Sequence, residues 1–151
     1  MSRISLFFSL ILSIVSGAAA ATRPELYGTW QLQTATSKWG VESAAITSGT
    51  LTITKHHKTI HMAVSVVFDH GDRTDEMDWR VDDRYHPISG PASGEIMAKW
   101  DGATLVGERE QPTGHESYRL TTSEGGATLT ERVHHTGPDG AWDRLLIWSK
   151  K

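Results

Sequence analysis

The chain has eight histidines, and they raise the question of a metal centre. A zinc or copper site needs three or so imidazoles or carboxylates converging at about 2.0–2.2 Å. His57 and His61 fall on one arm of a would-be hairpin. His134 and His135 are adjacent, so in a strand they point to opposite faces. No helix carries a His-x-x-x-His pair. The pattern therefore predicts no metal site, with His56 and His57 in a turn and the others on solvated strand faces. The acidic set Asp69, Asp72, Asp75, Glu76, Asp78, Asp82 and Asp83 lacks the spacing of a calcium loop. It reads as the wet face of a strand. Serine, histidine and aspartate are present, but no Gly-x-Ser-x-Gly elbow is. Gly90-Pro91-Ala92-Ser93-Gly94 reads as a loop. No catalytic residues are assigned, and a binding protein is expected rather than an enzyme.

The aromatic and methionine residues are more suggestive. Met62, Phe68, Met77, Trp79, Met97, Trp100, Tyr118 and Trp148 would supply an apolar lumen with adaptable sulfur contacts. They would equally fill a closed core. Arg109 lies in phase with Leu105 and Gly107, and Glu131 with Leu129 and Val133. Both charges then face inward. A buried unpaired charge is costly, so the two either pair with each other, reach a rim, or meet the polar head of a ligand. The candidate ligand-binding set is Met62, Met77, Trp79, Trp100, Arg109, Tyr118 and Glu131.

Strands must position these residues. Gly28-Thr29-Trp30-Gln31-Leu32 alternates, with Trp30 and Leu32 on one face. Ser37 to Ala45 is irregular and reads as a lid or crossing loop. Leu51 and Ile53 alternate with threonines. Ile60, Met62, Val64, Val66 and Phe68 form the clearest period-two run. Met77, Trp79 and Val81 follow, and Asp83 to Gly90 is rich in turn residues. Ile96, Ala98 and Trp100 meet Leu105 and Gly107 through Asp101-Gly102, a hairpin signal. Tyr118 and Leu120, then Leu129 and Val133, then Trp142, Arg144, Leu146 and Trp148 complete the set. About nine strand candidates at intervals of about 8–12 residues, with no convincing helix, indicate a sandwich or barrel. A barrel is favoured because closure removes exposed edges.

The N-terminus has the three parts of a secretory signal peptide: Arg3, an apolar run from Ile4 to Val15, and Ala18-Ala19-Ala20-Ala21. The apolar run falls short of the ~20 residues of a spanning helix. Residues 1–21 are therefore read as a signal peptide cleaved after Ala20 or Ala21, and 22–151 as one domain. The chain has no cysteine, which excludes disulfides, thiolate metal sites and lipid-modified cysteine. It has no asparagine, hence no N-glycosylation site. The formal net charge of -3, without a basic run, does not suit nucleic acid. A bacterial periplasmic or secreted location is expected, with no stable membrane insertion after cleavage.

Four segments in order carry a resemblance to small exported bacterial lipocalin-like (calycin-type) proteins. They are Gly28-Thr29-Trp30-Gln31-Leu32; Tyr85-His86-Pro87-Ile88-Ser89-Gly90; Trp100-Asp101-Gly102-Ala103-Thr104-Leu105; and Gly126-Ala127-Thr128-Leu129-Thr130 with Gly137-Pro138-Asp139-Gly140. The final Leu145-Leu146-Ile147-Trp148-Ser149-Lys150 matches the aromatic-before-lysine ending of that family. The resemblance implies a basic residue near the end of the chain stacked over the first-strand Trp30, a structural role for which Arg144 is the candidate. The chain departs from larger lipocalins in having no cysteine pair and no clear C-terminal helix.

The expected fold is all-β: an antiparallel, mainly up-and-down, lipocalin-like barrel of about 8–10 strands. The expected function is non-catalytic binding of a small hydrophobic or amphipathic ligand, with no cofactor. A second reading is a filled barrel acting as a surface interaction module, through an apolar patch around Trp39 and Trp142. A third is histidine-dependent metal binding, with a metal-linked or isomerase-like activity using His61 or His135.

Overall fold

The computed structural model describes residues 24–40, 45–88 and 93–151. The signal-peptide reading of 1–21 and Gly90–Ala92 of the Gly/Pro loop lie outside the described residues. A single 3-10 turn, Pro24–Leu26, precedes ten strands: β1 Gly28–Leu32, β2 Ile46–His56, β3 Thr59–Phe68, β4 Gly71–Arg80, β5 Tyr85–Pro87, β6 Glu95–Asp101, β7 Thr104–Gln111, β8 Gly114–Thr122, β9 Thr128–Gly137 and β10 Gly140–Lys150. They form one antiparallel sheet in the order β4-β3-β2-β1-β10-β9-β8-β7-β6-β5. Every neighbouring pair is consecutive in sequence except β1–β10, which joins the chain's two ends. The protein is therefore an up-and-down, nearly closed barrel.

The seam lies between β4 and the β5–β6 pair. There the backbones meet at the single parallel bridge Val81–Ala98. Trp79 crosses this seam and packs on Gly107 of β7. A β-carbon on Gly107 would stand 2.7 Å from the indole ring, so the close approach requires glycine.

Alternation builds the core. Trp30, Ile53, Ile60, Trp79, Leu105, Leu129, Leu146 and Trp148 are fully buried. β2 contains an irregularity between Ile46 and Ser48. It resets the phase, so that Ile46 packs against the same core as Leu51 and Ile53. The stretch expected to be turn-rich contains β5, where Pro87 is tolerated because β5 is the sheet edge. The segment expected to be an irregular crossing loop is tied to β10 by a Lys38–Leu145 bridge. Its residues 41–44 lie outside the described residues.

The closed end is built on Trp30. Its indole N–H donates to the Leu26 carbonyl at 3.0 Å. Lys150, directly paired with Trp30 across β1–β10, places its ammonium 4.2 Å from the indole centroid. The ammonium also donates to the carbonyls of Glu25 and Tyr27. Burial lowers the Lys150 pKa, and the Glu25 carboxylate partly opposes this. The expectation that Arg144 would cover Trp30 is thus corrected. Arg144 stands six residues earlier on the same strand, roughly 20 Å away at ~3.3 Å per residue. It lies instead over Trp39, 4.7 Å from that ring.

Candidate functional site

Two facing walls enclose a hollow in the barrel. One wall comes from β3 and β4, where Met62–Met77, Val64–Asp75 and Val66–Arg73 are direct cross-strand partners. It is mainly apolar, with Arg73 and Asp75 at its more exposed end. The other comes from β7 to β10. Arg109 faces Glu116 across β7–β8, and Glu131 is flanked by Leu120 on β8 and Leu146 on β10. Trp79 and Tyr118 join the walls at the seam, edge to face with centroids 5.2 Å apart. Leu51 and Trp39 complete the lining. The enclosed volume is about 80 Å3, rising to about 740 Å3 when the open mouth is counted. The smaller figure measures the interior space, which is large enough for several waters.

The polar wall is a continuous network. Arg109 Nη1 lies 3.5 Å from Glu116 Oε2. The Tyr118 hydroxyl donates to that same carboxylate oxygen in a short hydrogen bond. Burial first, and the Glu116 charge second, push the Tyr118 pKa well above the usual phenol value. Tyr118 is therefore a neutral donor. His135 Nδ1 lies 3.5 Å from Glu116 Oε1, without hydrogen-bond geometry. Its ring stacks on Trp142 with centroids 4.8 Å apart and planes at 7°. One level down, Glu131 accepts from Arg144 Nη2 and from the Trp148 indole, each at 3.3 Å. The Nε atoms of Arg109 and Arg144 and the indole N–H of Trp79 are buried without a hydrogen-bond partner.

Of the seven residues expected to meet a ligand, Met62, Met77, Trp79, Arg109, Tyr118 and Glu131 line this hollow. Trp100 does not. It borders two crevices at the other end of the barrel, beside Tyr27 and Ile60 and beside Leu26 and Thr122. Strand phase selects a face but not a height along the barrel, which explains the misplacement. Arg109 and Glu131 do not pair with each other. Each takes a partner from another strand, Glu116 and Arg144. Met97 belongs to the opposite face from Ile96 and Ala98, so it is not part of the lumen. Sequence reasoning missed Glu116, although it stands two residues before Tyr118 and so shares its face.

The histidines are dispersed. His61 pairs with Asp78 and His134 with Asp143, each at 2.8 Å and on the outer face. Among the described residues no group of three or more histidines, aspartates or glutamates is placed to hold a metal ion. Trp39 and Trp142 are half-buried against the core, and among the described residues Tyr85 is the large hydrophobic side chain left exposed.

The fold is an up-and-down β-barrel structurally like that of a solved fatty acid binding protein. No family model matches the chain, and no curated protein matches it in sequence. Solved structures do. A Schistosoma mansoni fatty acid binding protein in complex with arachidonic acid is 11% identical, with a TM-score of 0.56 over 85% of this chain and 98% of that one. A zebrafish ileal bile acid-binding protein complexed with cholic acid is 10% identical, with a TM-score of 0.52 over 84% of this chain and 99% of that one. The fluorescent protein UnaG is 10% identical, with a TM-score of 0.58 over 84% and 98%. At these identities the likeness establishes the fold.

Proposed function

We propose that this protein binds a small hydrophobic or amphipathic molecule in the barrel hollow, without catalysis. The observation that carries this reading is the two-sided lining: Leu51, Met62, Val64 and Met77 against the charged cluster of Arg109, Glu116, Glu131 and Arg144. An apolar wall suits a hydrocarbon body, and methionines adapt to its shape. The polar wall suits a head group, because its ion pairs are long and several of its donors are unpaired. The similar structures whose names specify arachidonic acid or cholic acid support the same reading. We include export in the proposal, on the N-terminal pattern of Arg3, the apolar run and the alanines.

Native mass spectrometry of the protein purified from the expressing cells tests both parts. A mass surplus lost on denaturation, on a chain beginning after Ala20 or Ala21, is the expected result. A bare chain that also takes up no added amphipath would contradict the binding reading. Retention of residues 1–21 would contradict export.

A further inference from the structure

We infer that the head group held in the hollow carries no net charge and offers a hydrogen-bond donor and an acceptor side by side, the chemistry of a carboxamide. The inference rests on the hollow being the binding site. Three cations, Arg73, Arg109 and Arg144, and three anions, Asp75, Glu116 and Glu131, line it, so their formal charges cancel. A carboxylate entering this balanced space brings an uncompensated negative charge beside the buried Glu116 and the partly buried Glu131. An ammonium brings an uncompensated positive charge beside the partly buried Arg109 and Arg144.

An uncharged head avoids both penalties. The pairs Arg109–Glu116 and Arg144–Glu131, at 3.5 and 3.3 Å, are longer than the ~2.7–2.9 Å of a tight charge-assisted bond. Neither pair saturates its arginine: the Nε–H of Arg109 and of Arg144 is buried without a hydrogen-bond partner. An amide carbonyl accepts from an arginine or from the unpaired Trp79 indole. The amide NH2 donates to Glu131 or Glu116. Arg109 and Glu116, and Arg144 and Glu131, then keep their partners of opposite sign.

The test compares octanamide, octanoate and octylammonium at pH 7 by isothermal titration against the mature protein. The three share one chain and differ only in head charge and hydrogen bonding. Octanamide is expected to bind about tenfold tighter than either ion. Octanoate or octylammonium binding as tightly as octanamide would overturn the inference and leave the hollow reading standing. No binding by any of the three would overturn the hollow reading as well. A second arm uses Glu131→Gln, which keeps the side-chain shape and gives the hollow one net positive charge. Octanoate should then gain about tenfold relative to octanamide, with the circular dichroism spectrum unchanged. An unchanged ratio of octanoate to octanamide affinity in a folded Glu131→Gln protein would also overturn the inference.

Discussion

At the scale of single residues, the site is a set of charges that burial forces into pairs. Glu116 is buried and meets Arg109, Tyr118 and His135. Replacing one partner of such a pair leaves the other uncompensated. Glu116→Ala is therefore expected to lower unfolding stability by about 3–5 kcal/mol, read from urea melts. The double change Arg109→Met with Glu116→Leu should recover most of that loss, because an apolar pair leaves nothing unsatisfied. Tyr118 has a pKa raised in the folded state, chiefly by burial. The sign follows from linkage. The unfolded chain releases this proton near pH 10, the folded chain only at higher pH, so its stabilising contribution is complete below about pH 10 and is lost above it. Melting temperature should fall between about pH 10 and 11.5, and less steeply in Tyr118→Phe. Parallel slopes in the two proteins would contradict this assignment. The pairing itself was only partly legible in the sequence. Inward phase marks Arg109 and Glu131, but the partner of each stands on another strand, and phase does not say which residues share a level.

At the scale of elements, two contacts close the barrel where backbone hydrogen bonding is thin. The Trp79–Gly107 contact fills the seam. Gly107→Ala places a methyl group 2.7 Å from the indole and is expected to cost about 1–3 kcal/mol. In the background of Trp79→Leu the same change should cost well under half as much. Equal costs in the two backgrounds would show that the ring is not the obstacle. At the other end, Lys150 ties the 3-10 turn to Trp30. Lys150→Met should cost about 1–2 kcal/mol in a thermal melt, through lost carbonyl bonds and the cation–π contact. The period-two pattern located β3 and β10 well because long alternating runs have no competing reading. β5 was hidden because three residues containing a proline resemble a turn. The phase reset in β2 leaves no mark in residue type, so Ile46 could be placed only by the register.

At the scale of the molecule, the architecture was legible. Strand-length alternations separated by turn residues, with no helical period, admit few closed forms. The hollow was not, because a filled barrel and a hollow one use the same side chains. What distinguishes them here is that the two walls differ in character, Met and Val on one side and paired charges on the other. The central claim is that this interior space is where a molecule binds. The most direct test is saturation binding of the uncharged naphthalene dye Prodan to the wild-type protein and to Met77→Trp, a substitution that fills the hollow from β4. The account predicts that the wild type binds with a blue-shifted, saturable signal. The folded Met77→Trp protein should bind at least about tenfold more weakly. Equal affinity in the two proteins would place the dye outside the barrel and contradict the claim.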